Sequence, residues 1–393
     1  MMDHFKLLKS DNPGYWALLI LLSLFGALGY GAAHFMDAQG HWVSGMNNQV
    51  VWGLPHVFAI FLILSASGAL NVASMSSVFS QKEYKPWARS SALLSICLLV
   101  GGLLILVLDL GRPERLIVAM THYNFKSIFA WNIFLYMGFL VMVTVYLWTL
   151  FERGMDKYTR KSGFLAFIWR FVLTSGTGSI FGFLVARQFF DSAMMVPIFI
   201  VLSLILGTAL FVLVVTVVTQ WSGIGLNESV VEKISGLLIG FVALELFLVT
   251  IFHLTNLYST GHHDLERFIL LDGQHYTVLF WLGQVLMGGV IPLLFAAFLK
   301  NGVKRLVMIS SAAVIGGFSQ LYVTIISGQA FPMALFPGKN VSSKFFDGVI
   351  ANYVPRFPEL LLGLGGVAVS FLLLMLVMRV LPFLPDNRVF KTD

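Results

Sequence analysis

The run Val-Pro-Ile-Phe-Ile-Val-Leu-Ser-Leu-Ile-Leu-Gly-Thr-Ala-Leu-Phe-Val-Leu-Val-Val-Thr-Val-Val-Thr-Gln, residues 196–220, contains no charged side chain. About 20 apolar residues cross the hydrocarbon core of a bilayer as a helix, so this run is long enough to span a membrane. The rest of the chain is similar, because 58% of its 393 residues are hydrophobic, 11% are charged and the mean hydropathy is +0.86. Soluble domains keep about a quarter of their residues charged. The composition excludes a water-soluble protein and predicts an all-α integral membrane protein.

Nine further apolar runs lie between charged or Pro/Gly-rich breaks, which gives ten predicted transmembrane helices. The second, rich in serine and glycine, and the ninth have the weakest signals. The ten spans are predicted near residues 14–36, 51–79, 91–109, 127–151, 164–187, 196–220, 235–258, 275–299, 306–328 and 360–384.

The distribution of basic residues predicts the orientation of the chain. The N-terminal segment, the connectors after even-numbered spans and the C-terminal tail hold 16 Lys and Arg, whereas the connectors after odd-numbered spans hold 8. Positive residues favour the cytoplasmic side. We therefore expect a multi-pass protein of the cytoplasmic membrane with both termini in the cytoplasm. The apolar stretch from Gly14 is too long for a signal peptide and lacks an Ala-x-Ala exit, so it is interpreted as a first span that is retained.

Composition also limits the chemistry available. The net charge of +6 comes from basic residues in short connectors and does not indicate a nucleic-acid partner. The only cysteine, Cys97, lies inside an apolar run. A disulfide framework, a CxxC redox pair and a cysteine-ligated iron–sulfur cluster are therefore excluded.

Polar residues within the spans are concentrated toward the outer side of the predicted topology. Charged or imidazole groups in a membrane are costly and usually functional. Those at or near outer span ends are His56, Asp109, Arg187, His253, Asn256 and His275. A cytochrome b-type subunit relays electrons through haems at two depths. Possible ligands here lie at one depth, so at most one haem could form, for example from His56 with His253 or His275. We expect no haem and no metal in this chain.

The segment Val51-Trp52-Gly53-Leu54-Pro55-His56 has the parts of a quinone site at a helix start. Trp52 can form a wall for a flat ring, Gly53 permits close approach, and Pro55 suits the first helical turn. His56 can donate to a carbonyl and exchange protons, because an unperturbed histidine titrates near pH 6.5. An interfacial tryptophan beside a capped helix start explains the same residues equally well.

Two interpretations also fit Asp109-Leu110-Gly111-Arg112-Pro113. Gly111 and Pro113 can end a helix, with Asp109 pairing with Arg112. Alternatively, this pairing holds an arginine at a pocket rim, near residues Arg115, His122 and Tyr123.

Glu245 lies midway along the seventh span, with His253 and Asn256 near the same helix face toward the outer side. This stack is typical of a proton pathway, in which Glu245 has Arg170 or another group as its partner. Ser67, Asn71 and Ser74 in the second span, and Thr174 and Thr177 in the fifth, are more typical of helix–helix contacts.

Two outer connectors are unusual. Residues 110–126 are half apolar, and residues 329–359 contain Pro332, Pro337, Pro355 and Pro358. Long structured connectors on one face suggest a platform that covers a pocket or docks a partner. Loops lying on the lipid headgroups are the alternative.

Several of these segments resemble the NrfD/PsrC family of quinone-interacting membrane subunits. They are Val51–His56, Asp109–Pro113, Asn124–Asn132 (Asn-Phe-Lys-Ser-Ile-Phe-Ala-Trp-Asn) and the tail Tyr353–Pro385, which resembles the ten-span members. Within the family, Trp52–Ser80 and Val107–Tyr136 look most like the DsrP-type members, which belong to DsrMKJOP complexes.

The resemblance implies two four-helix bundles flanked by the first and last spans. We expect residues 1–50 to hold the N-terminal tail and first span, 51–187 the first bundle with the quinone site, 188–328 the second bundle, and 329–393 the Pro-rich loop, tenth helix and cytoplasmic tail. The family's pocket positions fall on Trp52 and His56, and its Asp-x-Gly-Arg-Pro motif falls on Asp109, Gly111, Arg112 and Pro113. The nearest candidate for its pocket tyrosine is Tyr123.

The resemblance also implies a haem-free subunit that exchanges electrons between menaquinone or ubiquinone and a periplasmic iron–sulfur subunit. Dsr-type members imply a four-cluster ferredoxin-like partner, a triheme cytochrome c and further membrane and cytoplasmic Dsr subunits of sulfur metabolism. In this interpretation His56 is the proton-exchanging residue, and Glu245, His253 and Arg170 belong to a proton pathway. A secondary transporter or proton channel with a midplane site, and a passive membrane anchor of a redox complex, are the alternatives.

Overall fold

Ten long apolar helices make up most of the described part of the protein, as the sequence predicted. The computed structural model describes residues 5–9, 11–333 and 349–386. The membrane helices, numbered in chain order, are α1 Pro13–Gln39, α2 Leu54–Ser77, α3 Lys82–Leu108, α4 Ile128–Phe151, α5 Asp156–Gly182, α6 Met195–Ser222, α7 Glu228–Tyr258, α8 His275–Phe298, α9 Val303–Ala330 and α10 Phe357–Val380.

Three of these helices begin well before the predicted spans. α3 begins at Lys82 rather than near 91. α5 begins at Asp156 rather than near 164, and α7 begins at Glu228 rather than near 235. Their first turns are rich in charged residues, which lower the average hydropathy although the backbone is already helical. At α7 the side chain of Asn227 caps the helix by accepting a hydrogen bond from the Ser229 amide at 2.9 Å. Hydropathy therefore located the membrane-crossing part of each helix but not its extension toward water.

Helix α2 lies at the centre of the molecule and packs against α3, α6 and α10. Its backbone meets that of α6 at a pair of glycines. A Cβ placed on Gly68 would lie 1.7 Å from the Ser203 carbonyl oxygen, and one on Gly207 would lie 2.0 Å from the Ala69 nitrogen. Small residues at such crossings let membrane helices approach closely, so this contact fixes α2 against the second half of the chain.

The helices form two groups of four. α2, α3, α4 and α5 pack as one bundle, and α6, α7, α8 and α9 pack as the other, with α6 also contacting α2 and α5. α1 and α10 pair with each other at the side of the first bundle, where a Cβ on Gly29 would lie 2.6 Å from the Gly365 Cα.

Two short antiparallel strands join the ends of the chain. Strand β1, Phe5–Lys6, pairs with strand β2, Leu384–Pro385. Both termini therefore meet on one face, here called the termini face. The opposite face, here called the site face, carries the connectors after the odd-numbered helices.

The site face holds several short helices. Residues 113–121 form a 3₁₀ turn, Pro113–Arg115, followed by the helix Leu116–Thr121, both with mainly exposed side chains. Residues 260–272 fold into successive short turns. In the long connector after α9, Pro337 lies outside the described residues, whereas Pro358 occupies the first turn of α10.

Candidate functional site

The first bundle contains a largely apolar, partly open cavity of about 420 Å³ at its site-face end. Helices α2, α3, α4 and α5 contribute its walls, together with the short helix Leu116–Thr121 and Ile325 of α9. Its lining includes Trp52, His56, Leu106, Phe129, Tyr136 and Phe181. The size and lining are those of a site for a small organic ligand.

Three aromatic rings surround Trp52 and form one end of this cavity. The Trp52 ring centroid lies 5.8 Å from Phe129, 5.6 Å from Phe181 and 6.4 Å from Phe190. The first two rings also line the cavity. A flat ligand ring at this end would meet aromatic faces and edges, an arrangement that favours stacked or edge-to-face packing.

His56 and Asp109 meet beside the cavity. His56 lies in the first turn of α2, and Asp109 directly follows α3. His56 Nδ1 lies 3.0 Å from Asp109 Oδ2, and the Asp109 side chain is only 2% exposed. The ring N–H is not aligned for a hydrogen bond, and both carboxylate oxygens lack a hydrogen-bond partner among the described residues. Asp109 thus places a negative charge beside Nδ1 of His56. The other ring nitrogen, Nε2, is not engaged by Asp109.

Two further polar side chains line the cavity, and sequence reasoning did not single them out. The Asn132 amide nitrogen donates to the carbonyls of Ile128 at 2.9 Å and Gly176 at 3.1 Å. Its Oδ1 is buried without a hydrogen-bond partner among the described residues. Tyr136 is buried, and its hydroxyl is hydrogen-bonded with Thr177. Their positions within a continuous apolar run gave no pattern that distinguishes them from packing residues.

The segment before α2 is held in place by Gln329, from the end of α9. Gln329 Oε1 accepts hydrogen bonds from the amides of Val51 and Trp52, each at 3.0 Å, and its Nε2 donates to the Trp52 carbonyl at 3.0 Å. Arg187 in turn donates to the carbonyls of Gln329 at 2.8 Å and Gln49 at 2.7 Å. These bonds fix the backbone that carries Trp52 toward the cavity.

A buried carboxylate at the start of α10 holds the first turn of α2. Tyr353 donates to Glu359 Oε1 at 2.6 Å, and the same hydroxyl accepts from the Leu54 amide at 2.7 Å. Glu359 is 0% exposed and also accepts from the amides of Gly45 and Arg356, each at 2.8 Å. Gly53 is required here, because a Cβ at that position would lie 2.5 Å from Glu359 Oε1.

Three of the predicted pocket residues, Asp109, Arg112 and Tyr123, lie outside the cavity lining. Arg112 is exposed, and the predicted Asp109–Arg112 ion pair is wrong, because Asp109 lies against His56. Tyr123 donates to the Ala130 carbonyl and packs on Phe134, with 4.4 Å between ring centroids. Tyr123 therefore braces the connector to α4, whereas the tyrosine that lines the cavity is Tyr136.

His253 belongs to a second polar cluster, at the site-face end of α7. Its Nδ1 lies 2.7 Å from Glu266 Oε2, and the Asn256 amide donates to Glu266 Oε1 at 2.8 Å. Glu266 is 0% exposed, although it lies in the connector between two membrane helices. The short turns after α7 fold back and bury it. His253 does not line the first-bundle cavity, so the polar groups of the site face form two clusters rather than one shared pocket.

Glu245 and Arg170 are separate from each other. Glu245 Oε1 accepts a hydrogen bond from the Gln320 side chain at 2.5 Å, inside the second bundle. Arg170 donates to Asn71 Oδ1 and, at 3.5 Å, to the Ser67 carbonyl. Within the described part of the chain no ion pair joins Glu245 to Arg170, so the partner of Glu245 is an amide of α9.

The described histidines do not belong to clusters of possible metal ligands. Within residues 5–9, 11–333 and 349–386, no group of three or more His, Cys, Asp or Glu side chains converges. His56 and His253 contact different carboxylates. The expectation that this chain carries no haem or cluster stays a prediction.

Comparison with known proteins agrees with this architecture. Over 396 residues the chain is 28% identical to the Hdr-like menaquinol oxidoreductase integral membrane subunit of Archaeoglobus fulgidus, covering 99% of this chain and 98% of that protein. It is 24% identical to a selenate reductase subunit of Mesobacillus selenatarsenatis (94% and 93% covered) and 26% identical to a polysulfide reductase chain of Wolinella succinogenes (72% and 96%). Residues 42–333 match the family described as polysulphide reductase, NrfD. This chain is therefore an integral membrane protein of the NrfD family.

Proposed function

We propose that this protein is a quinone-interacting electron-transfer subunit of a respiratory oxidoreductase complex, with its quinone site in the first-bundle cavity. The observation that carries the proposal is the pairing of His56 with a buried Asp109 beside an aromatic-walled cavity of about 420 Å³. A passive membrane anchor has no need for an apolar cavity with polar groups of this kind. The name of the Archaeoglobus relative, a menaquinol oxidoreductase subunit, supports the same ligand class.

The residues present fit a quinone ring. Trp52, Phe129 and Phe181 provide flat apolar walls, and the ring edge can meet His56 and Tyr136 as hydrogen-bonding groups. The unpartnered Oδ1 of Asn132 can accept a hydrogen bond from a quinol hydroxyl. A bound quinol supplies two electrons and two protons when it is oxidised to the quinone.

His56 is the group positioned to exchange a proton with that ligand. Asp109 holds the Nδ1 side of the ring and stabilises the imidazolium that forms when Nε2 takes up a proton. The 25% exposure of the His56 side chain leaves it accessible from the cavity. Trp52 orients the ring, while Gln329 and Tyr353 position the backbone on either side of Trp52 and His56.

The electron partner is proposed to dock on the site face, close to the cavity. Exposed residues of the segment after α3, Arg112 and Ile117 among them, form the surface nearest to the site. The resemblance to DsrP-type members supports a periplasmic four-cluster iron–sulfur subunit as the direct partner, with a triheme cytochrome c and other Dsr subunits in the same complex of sulfur metabolism. Co-purification on a tagged form of this chain tests that partner set.

Proton handling is proposed for the second bundle, through Glu245 and the His253–Glu266 pair. Glu245 is buried at mid-depth and bonds only to Gln320 among the described residues, while His253 and Glu266 lie toward the site face on the same side of α7. Arg170 contacts neither group, and its surroundings support a different role, argued below. Proton uptake by proteoliposomes carrying Glu245→Gln, compared with wild type, tests the pathway.

The placement of both termini in the cytoplasm is proposed from the excess of basic residues on the termini face. The site face is then periplasmic, which agrees with an exported iron–sulfur partner. Reporter fusions after residue 386 and within residues 113–121 test this orientation, since only the first is expected to be cytoplasmic.

His56→Gln tests the function directly. We expect wild-type assembly, loss of quinol-linked electron transfer and loss of the quinone that co-purifies with the wild-type protein. His34→Gln is the matched control, because His34 is exposed on α1, away from the cavity. Wild-type turnover in His56→Gln would remove this residue from the site, and wild-type protein without quinone would favour the passive anchor.

A further inference from the structure

Arg170 is a buried cation without a counter-ion. It is 4% exposed, and no carboxylate forms an ion pair with it in the part of the chain that the structure describes. Its Nη1 donates to Asn71 and the Ser67 carbonyl, whereas its Nε is buried without a hydrogen-bond partner there. An unpaired charge inside a membrane protein is costly, and such a charge marks a functional site.

This guanidinium lines a separate cavity of about 330 Å³ on the termini-face half of the molecule. The cavity forms a groove across α6, between α5 and α7. Phe171 of α5, Leu204 of α6 and Phe241 of α7 contribute apolar walls. Uncharged polar side chains also line it, namely Asn71, Ser74, Gln81 and Thr208. The groove is therefore mainly apolar, and Arg170 is the charged residue of its lining.

The depth of Arg170 suits a ligand that enters from the headgroup region. Its Cα lies nine residues, about 13 Å of helix, beyond Lys161. The side chain of a helical residue leans toward the helix start, which shortens the distance from the guanidinium to the headgroup region. Lys157, Arg160 and Lys161 are exposed in the first turns of the same helix and add positive charge to this surface of the membrane.

We propose that this groove binds an anionic phospholipid, with its phosphate on Arg170 and an acyl chain along the apolar walls between α5 and α7. A phosphate oxygen accepts from Nε and neutralises the guanidinium. Phe167 and Phe171, whose ring centroids lie 5.0 Å and 4.6 Å from the guanidinium carbon, hold the cation in place. Because α6 joins the two bundles, the bound lipid stabilises their contact. The site is independent of the quinone cavity.

Lipid retention is the first test. Full-length protein, in its native complex where one forms, is purified in a neutral detergent, and its lipids are extracted and quantified by mass spectrometry. Wild type is expected to retain about one anionic phospholipid per chain, and Arg170→Gln is expected to lose it. Arg305→Gln is the matched control, because Arg305 is half-buried but already donates to the Ala296 carbonyl and Ser235. Retention of the anionic phospholipid by Arg170→Gln overturns the proposal.

Rebinding of lipid is the second test, and it shows whether the ligand is a lipid or a free anion. Delipidated protein is mixed with phosphatidylglycerol vesicles, phosphatidylcholine vesicles or inorganic phosphate, and the apparent Tm is measured. Phosphatidylglycerol is expected to raise the Tm of wild type by about 2 °C or more, with no effect of the other two. Leu204→Trp, which fills the groove and keeps Arg170, is expected to abolish the shift. An equal shift from phosphatidylcholine, or from phosphate alone, contradicts the proposal.

Discussion

Replacing Gln329 with leucine removes the side chain that holds the Val51–Trp52 backbone while keeping its approximate size. Three groups of the segment lose their partner: the Val51 amide, the Trp52 amide and the Trp52 carbonyl. Each lost hydrogen bond to a part-exposed group costs about 1 kcal/mol. The free energy of the ordered segment therefore rises by about 3 kcal/mol relative to its disordered conformations. This corresponds to about a hundredfold change in population. Since a ligand binds only the ordered segment, the apparent Kd of a quinol analogue should rise by up to about 100-fold.

The assay is equilibrium binding of a fluorescent quinol analogue to the purified protein in lipid nanodiscs. Gln329→Glu retains the acceptor of the two amide bonds and loses the donor, so its Kd should lie between those of wild type and Gln329→Leu. Thr149→Val is the control, because Thr149 is equally buried but bonds the Tyr146 carbonyl near the termini face. Wild-type affinity in Gln329→Leu, at normal protein yield, would refute the positioning role.

Three other substitutions test the site and the fold. Asp109→Asn keeps the shape beside His56 and removes the charge, so we expect quinol oxidation to fall by about 100-fold while binding of the quinol analogue changes little; equal losses in both would contradict the proposed role. Tyr353→Phe should cost about 2 kcal/mol in chemical unfolding at neutral pH. Burial, and then the Glu359 carboxylate, raise the pKa of Tyr353 above its ordinary value of 10.0. The stabilising effect of the protonated Tyr353 hydroxyl is therefore complete below about pH 10 and declines above it. The free energies of unfolding of wild type and Tyr353→Phe should converge at alkaline pH. Gly68→Ala should destabilise the fold by about 3 kcal/mol, because the new methyl meets the α6 backbone, whereas Gly240→Ala on the open face of α7 should be neutral; equal stability of the two variants would remove the glycine contact as a constraint.

Hydropathy predicted the membrane part of the fold because every span that crosses the lipid needs a long run of apolar residues. All ten spans were found, and the errors lie in the charged first turns of helices such as α5 and α7. Those turns are amphipathic and belong to the membrane surface, so an average over a window hides them. The expected division into two four-helix bundles came from a family resemblance rather than from periodicity.

The polar partners were harder to predict, because most are distant in sequence. Asp109 was assigned to the nearby Arg112, since a local pairing was the only one visible, yet its neighbour is the distant His56. Glu245 was expected to have Arg170 or another group as its partner, and it bonds the amide of Gln320. Glu266, in the connector after α7, was not considered, and the turns around it fold inward. A sequence shows which residue types are unusual in a membrane, but long-range packing decides which of them meet.

The pairing of strand β1 with strand β2, and of α1 with α10, has a consequence for biosynthesis. Strand β1 and helix α1 are synthesised before α2 to α9, whereas their partners α10 and β2 follow those eight helices. During insertion α1 therefore stays in the bilayer without its partner helix until α10 has been made. A chain interrupted before Phe357 leaves Gly29 of α1 without the close contact that Gly365 provides.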